Sequence, residues 1–296
     1  YVPSSAADPY QLDIGELDKL VAASDNPVRM LLINSPNNPT GQMLSPDFLQ
    51  ELAAYCRANR IIVLSDEIYF QVSHGEVEHV SMANYYPEGC LVLGGLSKHL
   101  SIGGWRLGVA LLPDSDFGKA LISKLLIFAS ETWSGVSAPI QYAAINAYSL
   151  EPGIEQYVKD CSAIHAIRTR FCRQYLVDIG INCSRAEGAF YIAANFDKYS
   201  AGLEKLGITT SPQLSRFLLG HYHIASLPGP DFGIPARTLT LRLSTSYLDM
   251  ENANDSQRIF DLYQTGVDAE VFISAPNHPV TRAALSAFTQ FLQSIS

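Results

Sequence analysis

Residues 94–113 read "GGLSKHLSIGGWRLGVALLP", and Lys98 stands there among glycines and apolar residues. It is the only lysine between Lys19 and Lys119, and Arg106 follows it by eight positions. Upstream, "SPNNPTG" (35–41) carries Asn38, and "SDEIY" (65–69) carries Asp66 and Tyr69. An amine, a carboxylate and a phenol are groups that proteins use for proton transfer and covalent catalysis. Singly, each has an ordinary explanation. An NPTG turn is common turn chemistry, a strand-end aspartate is often a helix cap, and a loop lysine is usually solvated.

The surrounding elements give these residues a common place. "VRMLLINS" (28–35) is an apolar run of strand length that ends at "PNNPTG". Ser45 reads as a helix N-cap with Pro46 at the first helical position. Phe48, Leu49, Leu52, Ala53 and Cys56 follow at helical spacing, which predicts an amphipathic helix to about Asn59. "IIVLSDEIY" then reads as a strand buried on both faces, completing a βαβ unit with a parallel sheet. "CLVLGG" and "RLGVALLP" supply two further strands. Asn38, Asp66 with Tyr69, and Lys98 thus fall beyond the carboxyl ends of adjacent strands, where open α/β sheets bind ligands. Residues 117–149 are helical in pattern, and 152–181 read as one long helix ending near Gly180. Strand-like pieces, "GAFYIAANF" and "TLTLRLSTSY", then alternate with helices at 211–220 and 279–295. The expected organisation is an α/β domain over 1–150 and a smaller α+β domain over 151–296, with no internal repeat.

Composition narrows the classes of partner. With 296 residues, 47% of them hydrophobic, the chain is long enough to build one large or two ordinary cores. The formal net charge of −9 and the lack of a basic run argue against nucleic acid or an anionic membrane as partner. No apolar stretch approaches the roughly 18 residues of a membrane span, and the start, "YVPSSAADPY", shows no signal-peptide pattern. Five widely spaced cysteines without a CxxC read as reduced thiols of a cytoplasmic protein. No metal site is expected. His221 and His223 could share a strand face, but they lack a third ligand.

Taken as an ordered set, "SPNNPTG", "SDEIY" and "SK" followed by "GGWRLG" resemble the fold-type I, pyridoxal-phosphate-dependent aminotransferases of class I/II. "GAFY", "LPGPDFG" and "LRLSTSY" carry the resemblance through the second half. It implies that Lys98 forms the Schiff base with the cofactor aldehyde and shuttles a proton at the substrate α-carbon. Asp66 would pair with the pyridinium nitrogen. Tyr69 and Asn38 would hydrogen-bond the phenolic oxygen, and Arg106 would bind the phosphate with Ser97 beside it. Arg242, within "LRLSTSY", matches the arginine that grips the substrate α-carboxylate, and Arg237 is the competing candidate. Phe190 and Tyr191 are candidates for the pocket lining or for the core. The implied reaction moves an amino group between an α-amino acid and a 2-oxo acid, in a cytoplasmic homodimer.

Two departures stand beside the resemblance. Many relatives carry a serine three residues before the lysine, where this chain has Gly95. The resemblance also begins partway into the large domain, without the N-terminal arm, the first strands and the ring-stacking aromatic of the family. Truncation, proteolysis or a separate N-terminal chain would each account for this. A lyase, decarboxylase or synthase of the same fold would share Lys98, Asp66, Tyr69 and Arg106. A non-catalytic cofactor-binding or regulatory domain is the alternative from another class.

Overall fold

A computed structural model describes residues 10–75, 77–149 and 151–295. They divide into two compact units. Among the described residues, one holds 10–36 and 43–159 and the other holds 37–42 and 160–295. The passage between units falls inside a continuous helix rather than in a linker, and the turn at 37–42 groups with the later residues because its hydrogen-bond partners lie there.

In the first unit, α1 (Ile14–Ala22) is capped by Asp13, whose side chain accepts from Glu16 N. It precedes β1 (Met30–Asn34), α2 (Pro46–Asn59) and β2 (Ile62–Asp66). The Ser45 hydroxyl accepts from Phe48 N, as the sequence predicts, and satisfies a backbone donor that the first helical turn leaves open. β3 (Cys90–Gly95) and β4 (Gly108–Leu111) complete a sheet of order β1-β2-β3-β4. The first three strands are parallel and β4 is antiparallel to β3. α2 covers one face, where Leu31, Ile33 and Val63 pack against Leu49, Leu52 and Cys56. On the other face Met30 and Leu32 are more than 60% exposed, and β2 alternates between buried and half-buried positions. The expectation that β2 is buried on both faces thus holds for one face only, because the described residues lay helices against that side. The unit continues with α3 (Asp116–Thr132) and α4 (Ala138–Ala147).

α5 (Pro152–Asp178) is the long helix that the sequence predicts, and it ends at Gly180, whose φ of 93° suits glycine. In the second unit β5 (Asn182–Cys183), β6 (Tyr191–Asn195), α6 (Ser200–Lys205), α7 (Ser211–Tyr222), β7 (Leu227–Pro228) and β8 (Thr240–Ser244) follow in turn. Their sheet has the order β5-β6-β8-β7 and is antiparallel throughout. α8 (Ala253–Gln264), α9 (Ala269–Phe272) and α10 (Pro279–Ile295) close the chain. α10 buries Leu285, Phe288, Phe291 and Leu292 against Phe196, Leu218 and Leu241. His221 lies in the last turn of α7, and His223 is its left-handed cap with φ of 58°, so the two do not share a strand face.

Phe291 is fully buried and touches the rings of Phe196, Phe217 and Tyr222. Truncating a ring so enclosed leaves a cavity, so Phe291→Ala is expected to cost about 3–5 kcal/mol. Chemical denaturation followed by far-ultraviolet circular dichroism measures it.

Candidate active site

The register of the parallel strands sets the first group of residues. Asn34 pairs with Asp66 and Asp66 with Leu93, so the β1–β2 and β2–β3 ladders end level with one another, while β3 runs on to Gly95 beside β4. Asn34 Nδ2 and Ser35 N both donate to the Asp66 carbonyl, at 2.9 and 3.1 Å, which fixes the strand end. The Asp66 side chain turns back and accepts from Ile68 N at 3.1 Å through Oδ1. Tyr69, 4% exposed, lies in the turn that follows. Lys98 emerges after β3 with Nζ 5.5 Å from the centre of the Tyr69 ring. The structure therefore gathers Asp66, Tyr69 and Lys98 at one edge of the sheet, and the amine faces the phenol.

From Lys98 the chain folds back on itself. A Cβ built on Gly103 would stand 3.8 Å from that of Ser97, and one built on Gly104 would meet nothing within 4 Å. Arg106 is exposed with a left-handed φ of 54°, and its Nη1 donates to Gly103 O at 2.8 Å. This open, glycine-walled bend leaves space beside an arginine and a serine hydroxyl. Gly95, where many relatives carry serine, has a local cause. A Cβ there would come within 2.9 Å of the Leu107 carbonyl oxygen and 3.2 Å of Ile68 Cδ1.

The second unit holds the other two residues. Arg242 on β8 stands opposite Ala193 of β6 and Leu227 of β7. Its diagonal neighbour Tyr191 lies with its ring centre 4.6 Å from the guanidinium carbon, and Phe232 packs against the same group at 5.2 Å. Arg242 Nη1 donates to Asn38 Oδ1 at 3.2 Å, while its Nε is buried without a hydrogen-bond partner. A buried guanidinium N–H left open is a ready contact for an anion. Arg242 also lines a cleft of about 450 Å³ with Ser244, Tyr247 and Leu285. Arg237, the competitor, lies before β8 rather than within it.

The chain as a whole is similar to a known family. The profile of aminotransferase class I and II matches residues 1–255. The chain belongs to this family. Among curated relatives, the aspartate aminotransferase of Geobacillus stearothermophilus is 33% identical over 229 residues, covering 76% of this chain and 55% of that protein. A probable aspartate/prephenate aminotransferase of Aquifex aeolicus is 31% identical, covering 82% of this chain and 58% of that one. The chain therefore spans little more than half the length of these relatives. Among solved structures, an aromatic aminotransferase from Pyrococcus horikoshii superposes with a TM-score of 0.74 at 25% identity, covering 99% of this chain and 66% of the other. A Thermus thermophilus aspartate aminotransferase with maleate has a TM-score of 0.75 at 23% identity, covering 98% and 63%, which supports the fold alone. The fold is that of the fold-type I aminotransferases.

Sequence reading did not foresee three features of this family member. Phe232 reaches Arg242 from a turn, and only the "LPGPDFG" string signals it. Glu67, 5% exposed, accepts from Ser65 Oγ, Ser81 Oγ and Met82 N, and so staples the 79–82 segment beneath the strand end that bears Asp66. Burial pushes the nearby His79 down, opposed by the Glu67 carboxylate 3.8 Å away. Finally, a cleft of about 870 Å³ in the first unit is lined by Glu67, Phe70, His79, Gly94 and Val109, not by Asp66, Tyr69 or Lys98.

His99, next to Lys98, is 4% exposed beside Phe70, with Nδ1 lacking a partner. Burial pushes its pKa down to about 4, and burial does the same to His278 of the second unit. The unfolded chain takes up these protons near pH 6.5, whereas the folded one refuses them until about pH 4. Stability must therefore fall as pH drops through that window. His99→Phe keeps the ring and removes the titration. It is expected to abolish about 1–3 kcal/mol of that loss, read as the difference between urea midpoints at pH 7 and pH 4.5.

Proposed function

We propose that the full-length protein is a pyridoxal-phosphate-dependent aminotransferase, moving an amino group between an α-amino acid and a 2-oxo acid. Family membership supports the reaction class. The observation that carries the reading to these residues is the placing of the Lys98 amine over the Tyr69 ring, at the strand edge that also bears Asp66. The donor set fits the cofactor: an amine for its aldehyde, a carboxylate for its ring nitrogen, and an arginine with open glycines for its phosphate. When bound, pyridoxal phosphate supplies an electron-accepting ring conjugated to the reacting carbon.

The chain's own groups then have separable tasks. Asp66 would hold a proton on the ring nitrogen with the carboxylate oxygen that Ile68 N leaves open. Tyr69, through its hydroxyl, and Asn38 hydrogen-bond the phenolic oxygen. Arg106, with Ser97 beside it, neutralises the phosphate through its fork of donors. Lys98 Nζ would hold the cofactor by its aldehyde, and the same amine would move the proton at the substrate α-carbon. Arg242 binds the α-carboxylate, with Nε free to donate and with Tyr191 and Phe232 fixing its plane. By this reading residues 1–150 belong to the cofactor domain and 151–296 to the smaller domain.

A homodimer agrees with the apolar side chains that α3 and α4 expose, among them Leu126, Ile127, Phe128, Tyr142 and Ile145. Free cysteines at all five positions agree with a cytoplasmic site of action. No helix among the described residues is long and apolar enough to cross a membrane.

Mixed with pyridoxal phosphate, the wild type is expected to gain a visible band that an α-amino acid converts to that of the aminated cofactor. Lys98→Ala should lower turnover about 10³-fold or more. Arg242→Ala should raise KM for amino and oxo acids about 10²-fold, as removal of a charged hydrogen-bonding partner does. A wild type that consumes amino acid without forming aminated cofactor would sink the transfer reading.

A further inference from the structure

The turn at 37–42 lies in the chain between β1 and α2, yet it groups with the unit that carries Arg242. Its anchorage is specific. Ser184 Oγ donates to Thr40 O at 2.6 Å and accepts from Ala193 N at 3.0 Å, so one buried hydroxyl serves the turn and β6 at once. Ser184 is 2% exposed. Glu187 N and Gly188 N both donate to Gly41 O, at 3.1 and 2.9 Å. Gly41 has φ of 73°, and a Cβ there would lie 2.6 Å from the Tyr191 carbonyl oxygen, so only glycine fits. Within the turn, Asn37 Oδ1 accepts from Thr40 N and Thr40 Oγ1, and Gly41 N donates to Asn37 O.

Both partners of Ser184 lead to Arg242. Thr40 belongs to the turn that presents Asn38 Oδ1 to Arg242 Nη1. Ala193 is the residue directly opposite Arg242 across β6 and β8. A guanidinium binds a carboxylate well only when its rotation is already set, because the ordering cost is then met before the ligand arrives. We propose that Ser184 is a positioning residue for carboxylate binding: through Thr40 and Ala193 it holds Asn38 and Arg242 in register and leaves Arg242 Nε open. The assignment rests on the reading of Arg242 as the substrate carboxylate site. Ser184 touches neither substrate nor cofactor and acts through the turn.

The test uses the full-length, cofactor-loaded protein and Ser184→Ala, which removes the hydroxyl at almost constant volume. Amide hydrogen exchange should accelerate in the 37–42 peptide and leave the β1 peptide unchanged, a readout that needs no turnover. KM for both the amino acid and the 2-oxo acid should rise about 5–20-fold, with kcat within about twofold. Ser184→Thr, which keeps the hydroxyl, should restore most of the lost affinity. If Ser184→Ala proves unstable, Asn37→Ala loosens the same turn from within and should give the same KM-specific pattern. Unchanged exchange at 37–42, or faster exchange with unchanged KM, would overturn the proposal. Failure of the underlying reading looks different: KM would then be indifferent to Arg242→Ala as well.

Discussion

The level ending of two parallel ladders, β1–β2 and β2–β3, is the constraint on which the first half of the candidate site depends. Asn34, Asp66 and Leu93 are register neighbours, and the backbone bonds at Asp66 lock β1 to β2 at that point. A slip of one residue between β2 and β3 would turn every side chain of one strand to the opposite face. Asp66 would then no longer stand level with the segment that delivers Lys98. α2 prevents such a slip, because Val63 of β2 and Cys90 and Val92 of β3 must stay on the face that Leu49, Leu52 and Cys56 cover. A hydrophobic packing rule thereby sets the position of the candidate catalytic groups.

The second half depends on a different kind of contact. Asn38 and Arg242 are 204 residues apart in the chain, and Ser184 and Thr40 are 144 apart. Such pairs draw little help from local propensity. They persist because the hydroxyl, carbonyl and amide groups involved are buried and would otherwise go unpaired. The aromatic rings at Tyr191 and Phe232 add direction, holding a planar cation against them.

Local signals made much of this legible in the sequence. The Ser45–Pro46 start of α2, the whole of α5 and the α10 stripe are written in caps and periodicity, and so is the order of strands that brings Asp66 and Lys98 together. α1 and α8 are less legible, because α1 is only nine residues long and the Asp13 and Asn252 caps look like loop residues. β5 and β7 are two-residue strands, defined only by what they pair with. His223 reads as a strand residue by alternation, but in the fold it is a left-handed helix cap. At the site, residue types and spacing pointed to Lys98, Asp66 and Tyr69. Ser184, Phe232 and the allegiance of the 37–42 turn are properties of the folded chain, and no short motif encodes them.

The central claim is that Lys98 is the amine that takes the cofactor aldehyde. Peptide mapping by mass spectrometry, after incubation of the protein with pyridoxal phosphate and borohydride, tests it most directly. The account predicts a phosphopyridoxyl group fixed on Lys98, with the six other lysines unmodified at stoichiometric cofactor. Label on another lysine with Lys98 bare would contradict it.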